Sequence, residues 1–253
     1  MNREELKRYL ERIGLDGASA PGVAEVQRAH LAAVPFENLD IVEGRVPLAL
    51  DEAALFDKIV RRRRGGICYE LNLLFAAALR ALGHDVALKG GRHPKYGDDM
   101  DHLFLLVDGE WLADVGFAAN FAEPLRLSVG ELQSDGIDQF VIEEAPEAGK
   151  GYLRLARVGG GEMFTFGPRT FEPADCRARC DWFSTAPESR FTQGPLVTLQ
   201  LPDGRRTLSA NRFIETRAGV RTETSIESAE QFDTLLTRHF FPKSVPGTNL
   251  GNP

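Results

Sequence analysis

The stretch Arg64-Gly65-Gly66-Ile67-Cys68-Tyr69-Glu70 sets one of only three cysteines behind two glycines and at the head of an amphipathic run, CYELNLLFAAALRALG. A thiol attacks a carbonyl or thioester as its thiolate, and an unperturbed cysteine is mostly protonated at neutral pH. The first turn of a helix offers unpaired backbone N–H groups and a partial positive charge, both of which favour the anion. Gly65 and Gly66 permit a sharp turn and leave room for a substrate. Position alone favours the plainer reading of a small buried residue ahead of a helix, since free cysteines are among the most buried residue types.

A cysteine nucleophile needs a proton acceptor and a third group to orient that acceptor. Of the five histidines, His30 and His239 fall in or at the end of helical runs and read as packing or surface residues. His84 follows a helix-ending glycine, and His93 lies in the loop GRHPKYGDD. His102 opens the apolar run HLFLLV, and the next run, EWLADV, carries Asp114. Side chains alternate faces along a strand, so the turn between these runs decides whether the two residues meet. A two-residue turn at Asp108-Gly109 pairs His102 with Val115 and sends Asp114 to the other face. A three-residue loop of Val107, Asp108 and Gly109, with Gly109 left-handed, pairs Leu106 with Glu110 and His102 with Asp114. Both faces of the two runs are apolar, so hydrophobicity does not choose the register. The expectation is the longer loop, which has glycine where it needs one.

Elements that could position these residues follow from periodicity. Helices are predicted over REELKRYLERIG, PGVAEVQRAHLAAV, DEAALFDKIVRR (with Asp51 as N-cap) and CYELNLLFAAALRALG, which ends at Gly83. From Val86 the period shortens to that of strands: DVALKG, HLFLLV, EWLADV, QFVIEE, YLRLARV and MFTFG. LVTLQLPDGRRTLS predicts a hairpin turning at Asp203-Gly204, and FIETRAGVRTETSI a second. SAEQFDTLLTRHF closes as a helix with Ser228 and Gln231 at capping-box spacing, ahead of an irregular tail, PKSVPGTNLGNP.

The chain has 253 residues, 43% of them hydrophobic, enough for one large domain or two to three small ones. Its formal charge of −7 argues against a dedicated nucleic-acid binder. The charged N-terminus lacks the apolar stretch of a secretory signal, and no apolar run approaches the ~18 residues of a membrane span. Three cysteines do not make a disulfide framework, and a reducing, cytoplasmic setting is expected. Cys176 and Cys180 have a C-x₃-C spacing but no further Cys or His within twenty residues, so they read as structural residues of a β region and no metal site is expected.

In order along the chain, VPFENLDI, LFDKIVRRRRGGICYELNLLFAAALRALG, HLFLLVDGEWLADVGF and WFSTAPESRF together resemble the arylamine N-acetyltransferases. The resemblance runs from YLERIGL to the last helix, and RGGICYELN with PFENL is its specific part. It implies an α+β fold around a thiol-protease-like Cys-His-Asp core: a helical bundle over residues 1–84, a β-barrel over 85–195 and an α/β lid over 196–253. It implies a triad of Cys68, His102 and Asp114, with acetyl-coenzyme A as co-substrate and no permanently bound cofactor. An arylamine, arylhydrazine or arylhydroxylamine would accept the acetyl group from an acetyl-cysteine. Phe36, Phe117 and Phe191 match positions that line the acceptor site, and plain core packing describes Phe191 equally well. Glu37, Asn38, Arg64, Gly65 and Gly66 are expected to support the site, Arg64 by a buried pair with Glu37. Arg61, Arg62 and Arg63 read as a solvated face.

The pattern departs from the family at Gly116-Phe117-Ala118, where Gly-Phe-Gly is common, and at Thr185-Ala186-Pro187, where Thr-His-Pro is common. The same triad would also serve a thiol hydrolase or an amide synthase, and the scaffold could carry a catalytically silent binding protein.

Overall fold

A computed structural model of the chain describes residues 1–16, 20–118 and 121–241. The tail PKSVPGTNLGNP, expected to be irregular, lies outside the described residues. Helix α1 (Arg3–Arg12) starts at a capping box between Asn2 and Glu5 and buries Tyr9 and Leu10. α2 (Val23–Ala33) buries Val26, Gln27, His30 and Leu31. His30 has the predicted packing role: its Nδ1 lies 2.7 Å from the Tyr9 hydroxyl, and burial, with Arg12 nearby, lowers its pKa to about 3. Pro35 then breaks the run, and β1 (Phe36–Glu37) and α3 (Leu39–Val42) follow.

Asp51 caps α4 (Glu52–Phe56), accepting the Ala54 N–H at 3.0 Å as predicted. The helix does not run on to Arg62. Asp57–Arg61 widen into a π turn, and the buried Arg12 guanidinium takes the carbonyls of Ile59 and Arg63, which the widened, irregular backbone leaves free. α5 (Cys68–Ala81) is the central helix; both flanks are buried, and Gly83 ends it at a φ of +99°.

Two antiparallel sheets follow. The first orders β2 (Val86–Gly91), β3 (His102–Val107), β4 (Trp111–Ala113) and β5 (Leu125–Arg126), with β3 packed on α5. The second orders β6 (Leu132–Ser134), β7 (Gln139–Glu144), β8 (Leu153–Arg157) and β9 (Gly161–Phe166). They meet where Arg92 and Thr165 exchange backbone hydrogen bonds of 2.7 and 3.0 Å. The expected β-barrel does not close. β5 and β6 are too short to ladder together, and the Gln133 side-chain amide instead bonds both backbone groups of Arg126, at 2.6 and 2.9 Å.

Cys176 and Cys180 lie not in a β region but on α6 (Cys176–Thr185), one turn apart and fully buried. Cys176, Cys180 and Phe183 repeat at helical spacing, a pattern short enough to be overlooked. The last sheet orders β1, β10 (Leu196–Leu201), β11 (Gly204–Ser209), β12 (Arg212–Arg217) and β13 (Val220–Ser225), and α7 (Ala229–His239) covers it from the predicted Ser228 cap. The β10–β11 turn is Pro202-Asp203, one residue earlier than expected, with Gly204 already paired to Leu201. Among the described residues no helix is long and apolar enough to cross a membrane.

The β3–β4 hairpin has a three-residue loop, Asp108-Gly109-Glu110, one position later than expected. Asp108 and Gly109 are both left-handed, at φ of +53° and +67°, and Glu110 donates to the Val107 carbonyl at 3.0 Å. That is the tight turn whose twist suits a hairpin. Trp111 rather than Glu110 then pairs with Val107, so Glu110 is the extra residue that preserves the face of Asp114. Carried one step past Leu105↔Ala113, this register sets Asp114 beside Phe104, and His102 reaches it along the diagonal. Asp108 tolerates its left-handed backbone because its carboxylate accepts from the Asp85 N–H at 2.9 Å and pairs with His84 at 2.8 Å.

Gly109→Val should lower stability by about 1–3 kcal/mol, since a β-branched residue resists positive φ. Equilibrium denaturation checks this; an unchanged midpoint would contradict the turn described.

Candidate active site

Cys68 is the first residue of α5 and is 3% exposed. The two glycines before it are needed for a reason other than the expected one. Neither has a positive φ, and a Cβ on Gly65 would lie 1.9 Å from the Pro35 carbonyl oxygen, one on Gly66 2.6 Å from a Glu70 carboxylate oxygen. The room they leave is filled by the protein, which brings the cysteine loop hard against β1.

Charge holds that contact. The Arg64 guanidinium meets Glu37 at 2.8 Å and Asp40 at 3.2 Å. The Lys58 ammonium, carried inward on the π turn, meets Asp40 at 2.6 Å and Glu70 at 2.7 Å. Glu37 also accepts the backbone N–H groups of Leu39 and Gly65, and Glu70 accepts that of Ile67. The expected Arg64–Glu37 pair is therefore present within a five-residue cluster, with the Arg64 side chain 16% exposed. Burial raises the Glu70 carboxyl, with Lys58 pulling it back. Burial would raise Asp40 too, but Lys58 and Arg64 together hold it well below the usual carboxylate range. Arg61 and Arg62 remain half-exposed beside Asp57, as a solvated face should.

His102 Nε2 lies 2.7 Å from Asp114 Oδ2. The other carboxylate oxygen of Asp114 accepts the Asn72 amide at 2.8 Å and the Gly116 N–H at 2.7 Å. Asn72, on α5 one turn after Cys68, also bonds the Leu103 carbonyl and the Val115 N–H. The fully buried Gln27 accepts the Asp114 N–H at 3.0 Å. A carboxylate only accepts, so Nε2 carries the proton and Nδ1 is the basic nitrogen of the ring. Sequence reading missed Asn72, Gln27 and Lys58. All three are polar residues on apolar helix faces, which is the signal that marks them.

Cys68 and His102 open on one cavity of about 260 Å³. A Cβ on Gly116 would lie 2.5 Å from Cys68 Cα, so the backbone after Asp114 packs directly on the cysteine. Phe36, Phe117 and Phe191 all line the cavity. Phe117 meets the His102 ring edge-on at 4.9 Å, and the Asn38 amide fixes Phe191 through its carbonyl at 2.8 Å. His93, Tyr96, Phe183, Arg190 and Arg205 line it as well and were not singled out by sequence. The loop carrying His93 and Tyr96 is braced by Asp101, which accepts from Arg179 and from the backbone N–H groups of His93 and Asp98. Burial and the nearby Arg190 lower the His93 pKa.

Burial pushes the Cys68 thiol well up, and the Leu103 N–H draws it partly back. Cys176 and Cys180 are pushed up to about 12, also chiefly by burial, and neither lines the cavity. No cluster of three or more His, Cys, Asp or Glu able to hold a metal occurs among the described residues.

The model of a family described as N-acetyltransferase matches residues 22–242. An arylamine N-acetyltransferase of Mycolicibacterium smegmatis is 35% identical over 259 residues, 92% of this chain and 90% of that protein. The chain belongs to the arylamine N-acetyltransferase family. A pineal gland isozyme from Gallus gallus is 33% identical over 93% of both chains. The solved structure of the Mycobacterium marinum arylamine N-acetyltransferase in complex with CoA superposes at a TM-score of 0.85, with 29% identity over 93% of this chain and 92% of that one. This acyltransferase thus shares the mixed α/β fold of its relatives over nearly its whole length.

Lys58→Met should destabilise the protein by about 3–5 kcal/mol, because Glu70 keeps its place in the interior without its cation. Denaturant titration measures this; wild-type stability would show that the cluster adds nothing. Asp40, with a depressed folded pKa, contributes stability that is complete above its unfolded value of about 4 and is lost as pH falls towards the folded value. Asp40→Asn should therefore flatten the acid limb of the stability profile relative to wild type, and an unaltered limb would contradict that assignment.

Proposed function

We propose that this family member transfers an acetyl group from acetyl-coenzyme A, through an acetyl-Cys68 thioester, to an arylamine, arylhydrazine or arylhydroxylamine. The observation that carries the reading is the shared cavity: Cys68, the Asp114-bound His102 and an aromatic wall of Phe36, Phe117 and Phe191 face one space. His102 Nδ1 takes the thiol proton, and the sulfur attacks the thioester carbonyl. The carbon–sulfur bond to coenzyme A breaks, and the departing thiolate takes the proton from the imidazolium. The amine nitrogen then attacks acetyl-Cys68 and gives its proton to His102, and the Cys68 thiolate leaves. Asp114 keeps the ring oriented and supports its positive charge. Backbone N–H groups at the start of α5 are suited to stabilise the oxyanion of each step.

These steps need no permanently bound cofactor, no metal and no nucleic-acid or membrane partner. A cytoplasmic setting would keep the three free cysteines reduced. We read residues 1–84, 85–195 and 196–253 as the units that supply the nucleophile, supply the His102–Asp114 pair and cover the cavity. The last unit reaches the cavity through Leu196, Thr198, Arg205 and Thr207.

Intact-protein mass after mixing with acetyl-coenzyme A tests the reading. The protein should gain one acetyl group, retain it in buffer and lose it on addition of an arylamine, and Cys68→Ser should gain none. Coenzyme A release in water without amine would instead show a hydrolase, and acetylation of the Cys68→Ser variant would refute the mechanism.

A further inference from the structure

The C-terminal sheet ends on an open edge. β13 is its last strand, paired to β12, and all six of its residues are exposed. α7 packs over β11, two strands further in. β12 and β13 are joined by the two-residue turn Ala218-Gly219, with both residues left-handed at φ of +46° and +79°. Such a turn makes Arg217 and Val220 a hydrogen-bonded pair, and bonded and non-bonded pairs then alternate along the ladder. Val220, Thr222 and Thr224 therefore turn their backbone groups towards β12, and Ile226 keeps that parity by donating to the Asn211 carbonyl at 3.0 Å. Arg221, Glu223 and Ser225 turn theirs outward. A row of N–H and C=O groups outside the ladder is the template to which another strand adds. Edges are commonly protected by side chains of one charge, chiefly lysine. This edge instead carries opposite charges two residues apart on one face, Arg221 and Glu223, in contact at 2.5 Å.

We infer that β13 is a self-association surface, pairing antiparallel with β13 of a second copy of this chain about a two-fold axis at Thr222. Two constraints select that register. Outward backbone groups must meet outward backbone groups, so odd-numbered residues face odd-numbered residues. A two-fold centred on Arg221 sets arginine opposite arginine, and one centred on Glu223 sets glutamate opposite glutamate; both are repulsive. Centres nearer either end shorten the ladder. Centred on Thr222, each Arg221 lies opposite the partner's Glu223, and the contact occurs twice because a two-fold interface is isologous. The same register lays Val220, the most exposed large hydrophobic side chain among the described residues, across the partner's Thr224. Both faces of β13 are exposed, which leaves room for the incoming strand. Two short edges make a small interface, so the dimer belongs to the weak, concentration-dependent class.

Sedimentation velocity over a rising protein concentration tests this. The wild-type chain should pass reversibly from the mass of one chain to that of two. Glu223→Arg and Arg221→Glu should each weaken the dimer by at least about tenfold, since each reversal sets like charges opposite at two symmetric positions. The double variant Arg221→Glu/Glu223→Arg should restore it. Both side chains are exposed, so an unchanged thermal midpoint verifies the fold of each variant. Cross-linking in an otherwise wild-type chain gives a second reading that needs no charge reversal. Thr222→Cys places its sulfur opposite its own symmetry mate in a non-hydrogen-bonded pair, where Cα atoms about 4.5 Å apart are within disulfide reach. Diamide should convert that variant to a covalent dimer and leave Ser225→Cys, which lies opposite the partner's Gly219, uncoupled. A wild-type chain that stays monomeric at every concentration overturns the inference. So does a dimer that survives both single reversals, since it would lie on another surface. A double variant as weak as the single ones, or equal cross-linking of the two cysteine variants, overturns it as well.

Discussion

Five charged side chains set the position of Cys68, the proposed nucleophile. Arg64 and Lys58 bridge Glu37 and Asp40 on one side to Glu70 on the other, and so lock the segment Pro35–Asp40 against the segment Lys58–Glu70. Each later feature leans on that lock. β1 lies between Gly66 and β10, so the C-terminal sheet is registered on the cysteine loop through Phe36 and Glu37. Asn38, three residues after the Pro35 whose carbonyl excludes a side chain at Gly65, fixes Phe191 and the start of β10. Glu37, Lys58 and Glu70 are buried and Asp40 and Arg64 partly so, so the charges add geometric definition more surely than net stability, while removal of one partner leaves an uncompensated ion.

Much of this was legible in the residue pattern, because the helices and hairpins are amphipathic at clean periods and carry their own caps and turns. Asp51, Gly83 and Ser228 stop or start helices where their chemistry predicts. What escaped was set by tertiary contact. The π turn at Asp57–Arg61 looks like ordinary helix in sequence, and Arg12 supplies from across the bundle the hydrogen bonds that its irregular backbone lacks. The barrel failed to close because Gln133 replaces a strand ladder, which periodicity cannot reveal. The expected loop length at Asp108-Gly109 was right, but the extra residue is Glu110, so His102 meets Asp114 diagonally. The residues of the proposed triad came from family motifs together with strand parity, whereas Asn72, Gln27 and Lys58 acquire meaning only once three elements are packed together.

The chemistry of the site turns on a tension between burial and ionisation. A thiol at a helix N-terminus is often read as an activated one, yet here burial raises the Cys68 pKa. What the fold provides in return is a base whose proton is already assigned: Asp114 accepts three hydrogen bonds and keeps His102 Nε2 protonated, leaving Nδ1 to take a proton. In the proposed mechanism, ionisation of Cys68 is then a transfer within the cavity rather than a loss to solvent. On that mechanism the thiolate arises only beside an imidazolium, which neutralises it where water is scarce.

The pH dependence of Cys68 alkylation by iodoacetamide, compared between wild type and His102→Gln, tests that account most directly. Wild type should be labelled at Cys68 at neutral pH, ahead of Cys176 and Cys180, with a rate that has levelled off well below the ordinary thiol range. The variant should need strongly alkaline conditions for the same rate, because its buried thiol has lost its proton acceptor. Superimposable profiles for the two proteins would contradict the central claim that His102 ionises Cys68.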